Sequence, residues 1–321
     1  MSRPHAAGMR QGNEVSLNTI TIAHLSDPHL PTEMVPPRIG ERLNKRMFSY
    51  FSWKGRRRFL HRPEILARVM DDIRTSRVGM IAVTGDLTNM GLPGECRQAL
   101  RWLELMPAPC TVIPGNHDTL VHDRWHQTVG LWQPWMGALP FPFVRRVGNV
   151  ALIGVSSAVP TPWFRATGTV GARQAARLRD ILRETAHQGL CRIVMIHHPP
   201  VPDLAIRRKA LTDIQDFATC IAQDGAEMIL HGHIHTSTLS SLPGPVGPVP
   251  VMGIASASAR SCDPLRAAGW NHITVTPHAA GYRLGVTRRF FLADATTGTS
   301  QETIFDLPSP SGCFSGVSTP A

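Results

Sequence analysis

Lysine is scarce in this 321-residue chain: only Lys45, Lys54 and Lys209 stand among its 33 basic residues. Long apolar runs are missing too. The longest, such as 150–155, are strand-sized and far short of the roughly 20 apolar residues that a membrane-spanning helix needs. The first 18 residues are polar and hold no apolar core segment, so no secretory signal is expected and the cytoplasm is the expected location. The six cysteines (Cys96, Cys110, Cys191, Cys220, Cys262 and Cys313) are scattered without a C-x-x-C pair. That excludes a disulfide framework and a thiolate zinc site, and leaves them as reduced, structural residues. No segment repeats at a fixed period, which removes the array folds.

What is present is enough apolar content, 42%, for one large domain with a buried core. The formal charge is +10, and it is concentrated. Residues 38–62 carry nine basic side chains against the single acid Glu41, a local excess of eight. The remainder is near neutral, so the charge describes one segment and not a general nucleic-acid surface.

The order of patterns is strand, helix, strand, helix, strand. Residues 19–25 are β-branched and apolar and run into Asp27-Pro28-His29. Pro63 opens a helix with Ile65, Leu66, Val69, Met70 and Ile73 at helical spacing. A strand at 80–83 ends at Gly85-Asp86, a helix runs from Pro93 to Leu105, and a strand at 110–113 ends at Gly115-Asn116-His117-Asp118. The pattern resumes with strands at 151–155, 192–196 and 227–230 and helices at 172–185 and 211–222. His197-His198 and Gly232-His233-Ile234-His235 follow two of those strand ends. Short apolar runs at 251–254, 273–276 and 282–287 suggest antiparallel strands that complete a sheet. The predicted organisation is a polar tail at 1–17, an α/β domain at 18–295 with a basic amphipathic insert at 38–62, and a loose tail at 296–321.

The strand-end residues Asp27, His29, Asp86, Asn116, His197, His233 and His235 offer oxygen and imidazole donors, a set suited to Mn, Fe, Zn, Ni or Co. Seven donors exceed what one ion with an open position uses. Two ions about 3.5–4 Å apart and sharing a carboxylate use them all, and such a pair can hold a bridging hydroxide and screen phosphate charge. Taken singly, Asp27, Asp86 and Asn116 would read as ordinary turn residues; the ordered set outweighs that reading.

These blocks, D-x-H, G-D, G-N-H-D, H and G-H-x-H in that order, closely resemble the signature of the calcineurin-like metallophosphoesterase superfamily. The resemblance spans about 20–236 and implies a two-sheet β-sandwich flanked by helices. It implies that Asp27, His29, Asp86 and His235 bind a first metal ion, and that Asp86 bridges to a second one completed by Asn116, His197 and His233. His117 matches the histidine that faces substrate without binding metal, and Asp118 beside it is expected to orient it. His24, His198 and His231 are expected to be hydrogen-bonded structural histidines, and Gly85, Gly115 and Gly232 to serve close backbone approach.

The sequence after Asp86, Leu-Thr-Asn-Met-Gly, lacks the arginine-bearing form of the serine/threonine protein phosphatases. The whole set looks more like bacterial cyclic-nucleotide and glycerophosphodiester phosphodiesterases, so hydrolysis of a phosphodiester is expected, with an anionic phosphoester as partner and no nucleic acid. UDP-diacylglucosamine pyrophosphatases, which act on a membrane-borne lipid and carry basic inserts, are the alternative; a non-catalytic scaffold of the same fold is the third. Residues 38–62 are open to three readings: a cap that draws in anionic substrate, a helix lying on an anionic membrane, or a solvated helix whose apolar stripe joins the core.

Overall fold

Thirteen strands and six helices succeed one another in the computed structural model, which describes residues 19–31 and 45–308. They are β1 (Ile20–Leu25), α1 (Lys45–Ser52), a π-helical turn (Trp53–Arg57) running into α2 (Arg58–Leu60), α3 (Pro63–Ser76), β2 (Met80–Val83), α4 (Pro93–Glu104) and β3 (Cys110–Val112). After two short 3-10 turns come β4 (Phe143–Val147), β5 (Val150–Gly154), α5 (Ala172–His187), β6 (Cys191–Met195), α6 (Ile214–Asp224), β7 (Met228–His231), β8 (Thr238–Leu242) and β9 (Val249–Gly253). The long hairpin β10 (Ala268–His278) and β11 (Gly281–Phe291) is followed by β12 (Thr297–Thr299) and β13 (Thr303–Pro308). No helix among the described residues is long and apolar enough to cross a membrane.

One sheet has the order β12-β11-β10-β1-β2-β3, with β13 also on β11; the other runs β4-β5-β6-β7-β9-β8. β1, β2 and β3 are mutually parallel, as are β5, β6, β7 and β9. The C-terminal ends of each parallel set therefore lie along one edge, where ligands collect in open α/β sheets. Strand β6 shows why this is a layered structure. Ile193 and Met195 join the large core shared with the first sheet, α3 and α4, while Val194 and Ile196 join a second core with Leu178 and Leu182 of α5 and Phe217 and Ile221 of α6. A period of two with both faces covered is what a central parallel strand requires. Burying each such side chain stabilises the fold by about 1.5–3 kcal/mol before entropy is counted.

The helix starting at Pro63 buries Ile65, Leu66, Val69, Met70 and Ile73, the stripe its sequence predicts. The tail expected to be loose from 296 is corrected up to Pro308. Ile304, Phe305 and Leu307 lie in β13, which pairs with β11 from Val286↔Thr303 to Gly281↔Pro308, and Phe305 and Leu307 pack against the main core. Its Ser/Thr-rich surroundings hid a short edge strand whose residues are at most half-buried. The predicted tails at 1–17 and beyond 308, and residues 38–44 of the basic segment, lie outside the described residues.

Residues 45–62 lie over the edge where the strand ends meet, with polarity partly inverted. Arg46 is buried, donating to the Met90 carbonyl (3.0 Å) and pairing with Asp123, and Ser49 donates to the Asn89 carbonyl (3.0 Å). Phe48 and Phe51 face outward while Trp53 is buried. A single apolar stripe joining the core does not describe this segment, because its buried face is largely cationic and polar.

Candidate metal centre

Backbone bonds zip the loops after β1 and β2 together: Asp27 N–H donates to the Gly85 carbonyl (2.9 Å), His29 N–H to Asp86 (3.1 Å) and Leu30 N–H to Leu87 (2.9 Å). The second sheet joins through the His233 N–H, which donates to Asp27 Oδ2 (3.0 Å). Asp27, His29, Asp86, His233 and His235 all hold positive φ, between 39° and 71°. Non-glycine residues adopt this region at a cost, Asp and His more readily than most, and such strain collects at functional sites. It turns successive side chains out of the strand direction and toward one point. Two glycines make the crowding feasible. A Cβ on Gly115 would land on the Asp86 carboxylate, and one on Gly232 on Ser26 Oγ and the Asp27 carboxylate.

The donors converge in two overlapping groups, Asp27, His29, Asp86 and His235 in one and Asp86, His197 and His233 in the other, with atoms within 4.8 Å of one another in each. Asp86 belongs to both. Asn116 is drawn in by its Oδ1, 3.2 Å from His197 Nε2. Three imidazoles are anchored by carbonyls, which can only accept. His29 Nδ1–H donates to Thr88 (3.1 Å), His197 Nδ1–H to Thr84 (2.7 Å) and His233 Nε2–H to Lys209 (2.9 Å). In its neutral form each ring thereby turns its other nitrogen, a lone pair, into the cluster. For His197 that lone pair faces Asn116 Oδ1 and, at 3.5 Å, Asp86 Oδ2. Electron pairs facing one another call for a cation between them. In the bare protein a proton answers: burial opposes the charge on His197, but Asp86, by its charge and a hydrogen bond, and then Asp27 raise it to about 9. Asp27 and Asp86 are themselves fully buried; burial works against their charge, yet His235 and His197 beside Asp27, and His197 and His117 beside Asp86, hold both carboxyls below the usual range. Buried carboxylates and imidazole lone pairs at these spacings fit divalent ions.

His117 stands beside the cluster. Its backbone N–H donates to Asp86 Oδ1 (2.7 Å), its Nδ1–H donates to the Asn89 carbonyl (2.7 Å), and Nε2 faces the cleft. Burial, then the Arg57 charge, lowers it to about 3, so it is a neutral imidazole. The expectation that Asp118 orients His117 is corrected, since that task falls to Asn89. The Asp118 carboxylate instead accepts the backbone N–H groups of Gly115 (2.8 Å), Asp86 (2.9 Å) and Thr88 (2.9 Å) and the Thr88 hydroxyl (2.8 Å). It ties the second loop to the third; burial and then the Asp86 charge push it up to about 7. Its buried position next to a peptide turn, not its sequence neighbour, decides its role.

His198 is held by Ser157 Oγ (2.8 Å) and the Ala166 carbonyl (3.2 Å), His24 by Thr84 Oγ1 (3.0 Å) and Asn271 (3.2 Å), and His231 by the Gly232 carbonyl (3.0 Å). These three support the walls, as expected of them. Two residues carry no signal in the five blocks and yet sit in the site. Arg57, read only as one charge of a basic run, sends its guanidinium inward, where it donates to His117 Nε2 (2.9 Å) and His29 Nε2 (3.0 Å). His61 closes the same segment and lies against His29 and His235. The resulting cleft, of about 440 Å³, is lined by Lys45, Arg56, Arg57 and Lys209 on its cationic side and by Phe48 and Phe164 at its rim.

A two-sheet α/β fold with a buried Asp/His/Asn cluster at its strand ends, roofed by cations, defines a metal-dependent hydrolase of phosphoesters. The chain belongs to the calcineurin-like phosphoesterases, whose family model matches residues 20–237. It is 25% identical over 214 residues to a probable cyclic nucleotide phosphodiesterase of Synechococcus sp., an alignment covering 66% of this chain and 77% of that protein. It is 24% identical over 230 residues to a probable cyclic nucleotide phosphodiesterase of Coxiella burnetii, covering 68% and 77%. The fold is also that of a dimetal phosphatase from Danio rerio, with a TM-score of 0.53 at 13% identity over 87% of this chain and 98% of that one.

Proposed function

We propose that this protein is a phosphodiesterase that works with two metal ions, the first held by Asp27, His29, Asp86 and His235 and the second by Asp86, Asn116, His197 and His233. The observation that carries the reading is His197 Nε2 set against two oxygens, Asn116 Oδ1 and Asp86 Oδ2, a grouping that calls for a cation. Bound there, the ions would supply Lewis-acid charge to the phosphoryl oxygens and an activated water. Mn, Fe, Zn, Ni and Co all suit this donor set. The chain's own residues do the rest. His117 presents Nε2 to the cleft with its ring fixed by Asn89; once Nε2 takes up a proton, which the charge of a bound phosphate favours, it would donate to a phosphate oxygen or to the departing alkoxide. Arg57 and Lys209 bring positive charge to the cleft, where charge-assisted bonds to phosphate are strong. The names of the two curated relatives support a cyclic nucleotide as the class of substrate.

Arg57 is assigned here to the substrate phosphate, since a planar guanidinium donates two parallel bonds that a lysine cannot reproduce. Arg57→Ala is expected to weaken inhibition by inorganic phosphate, and to raise KM, by about 10- to 100-fold, with Arg57→Lys restoring only part. Equal phosphate affinity in all three proteins would remove Arg57 from substrate binding. Chelation should lower thermal stability as well as abolish turnover, because ions that bind only the folded chain stabilise it by about 2.7 kcal/mol when present at 100 times their dissociation constant. A melting temperature unmoved by chelator in a protein that had held metal would contradict that linkage.

A second reading rests on the exposed aromatics around the cleft. Phe51 is 61% and Phe164 74% exposed, Phe48 packs edge-on against Trp163 (4.9 Å) and Phe164 (5.1 Å), and Lys54, Arg56 and Arg58 lie nearby. Such a mixture suits the surface of an anionic membrane, and with it a nucleotide-linked lipid pyrophosphate as substrate. Turnover of 3′,5′-cyclic nucleotides, glycerophosphodiesters and a nucleotide-linked lipid by the Mn- or Co-loaded enzyme separates the two. The phosphodiesterase reading fails if only the lipid is cleaved.

A further inference from the structure

The basic segment ends in a histidine whose backbone is pinned on both sides to the loop after β9. Arg260 N–H donates to the Leu60 carbonyl (2.8 Å), Arg62 N–H to the Ser258 carbonyl (2.8 Å), and His61 itself bridges Ala259. The side chain is only 6% exposed. Its Nδ1 is 2.9 Å from Ser258 Oγ and 3.2 Å from Ser256 Oγ.

The direction of the protons in this group can be read from its end. Ser256 O–H donates to the Asp27 backbone carbonyl (2.6 Å), which can only accept. Ser256 Oγ has then spent its one proton and can only accept; its other neighbours are Ser258 Oγ at 3.3 Å, the Ser258 N–H at 3.4 Å and His61 Nδ1 at 3.2 Å. With the imidazole proton on Nδ1, facing the two seryl oxygens, Nε2 carries the lone pair. That Nε2 is buried and has no hydrogen-bond partner among the described residues. The ring lies 4.4 Å from the His29 ring and 5.4 Å from that of His235, centroid to centroid. Donor atoms of His29, His61 and His235 fall within 4.8 Å of one another, a group that shares two members with the first donor cluster. A buried ring nitrogen with no partner, set among two further imidazole donors, is the arrangement found where an imidazole meets an ion.

We infer that His61 is a third imidazole donor to the ion held by Asp27, His29, Asp86 and His235. This rests on the two-ion reading above and adds a ligand that none of the five motif blocks contains. It makes the two positions unequal: three imidazoles crowd the first, against two imidazoles and an amide at the second. Imidazole-rich sites favour Zn, Fe, Co and Ni over Mn and Mg, so the first position would discriminate where the second would not.

The test uses full-length protein stripped by chelator and titrated with Co(II), followed by calorimetry and by the visible absorption of the bound ion. Two variants split the side chain by reach: His61→Asn keeps a polar group at the Nδ1 position facing Ser258, whereas His61→Gln carries its amide out to the Nε2 position. The wild type is expected to take up two Co(II) ions. In His61→Asn one of the two should bind 10- to 100-fold more weakly, with a changed Co(II) spectrum, and His61→Gln should fall between. Two ions bound by His61→Asn with wild-type affinity and spectrum would overturn the assignment and leave the two-ion reading standing. So would loss of both ions to the same extent in both variants together with a lower urea midpoint of the metal-free proteins, which would mark His61 as a packing residue. Fewer than two ions in the wild type would overturn the two-ion reading itself, and this inference with it.

Discussion

Replacing Asp86 with asparagine is expected to lower turnover of bis-p-nitrophenyl phosphate by on the order of 10³-fold or more while the protein remains folded. Asp86 is the one carboxylate common to both donor groups, so its charge would bear on both ions at once; losing several kcal/mol of metal-derived stabilisation corresponds to that factor. Asparagine is the informative replacement. It tolerates the φ of 55° that Asp86 holds, and its carbonyl can still accept the His117 N–H that Asp86 Oδ1 now accepts. Alanine would add backbone strain and an unpaired amide, which would mix stability into the result. Metal content by mass spectrometry should fall in parallel. Turnover equal to wild type would end the two-ion reading.

The second large effect is on stability, from Asp118→Ala. Three backbone N–H groups and a hydroxyl, from Asp86, Thr88 and Gly115, lose their common acceptor, and all are in a buried loop junction where water does not replace it. Each buried donor left unsatisfied costs about 1–3 kcal/mol, and because the four share one site the sum is less than additive. A loss of about 3–5 kcal/mol is expected, read as a lower urea midpoint at unchanged slope. Asp118→Asn should recover part of it through its remaining carbonyl. The same variant should also lose metal, since the Asp86 backbone is one of the groups released. A midpoint within error of wild type would mean that the loops are held by something other than this carboxylate.

How far the sequence could be read differs by residue. Strand ends announced themselves because β-branched runs stop at Gly-Asp, Gly-Asn-His and Gly-His-x-His, and donors placed there have only one edge to converge on. The candidate donor positions that converge in the fold were legible for that reason. The strands β4 and β8 were not, since both are edge strands with alternating exposure, and residues such as Arg145, Ser240 and Ser241 dilute their apolar signal. Arg57 and Arg46 were hidden by company: nine basic residues within 25 positions look alike in sequence, and only packing shows that two point inward. His61 belongs to no spacing rule, because its partners, Ser256 and Ser258, are nearly two hundred positions away. Asp118 misled in the opposite way, by adjacency to His117.

The donors come from two sheets that are far apart along the chain. Asp27, His29, Asp86 and Asn116 follow β1, β2 and β3, whereas His197, His233 and His235 follow β6 and β7, and β1 obtains its second neighbour only from β10 at Ala268–His278. Synthesis therefore delivers the acidic donors first and most imidazoles last. A growing polypeptide that has emerged as far as Asn116 exposes two carboxylates with the imidazoles of His29 and His61 and no second wall, a set that any abundant divalent ion can visit and leave. Retention becomes feasible only after His235 and the closing hairpin have appeared, since metal binding of this kind is coupled to folding. On the two-ion reading, a nascent or prematurely terminated product would lack part of both donor groups, and metal content would report how much of the protein was finished.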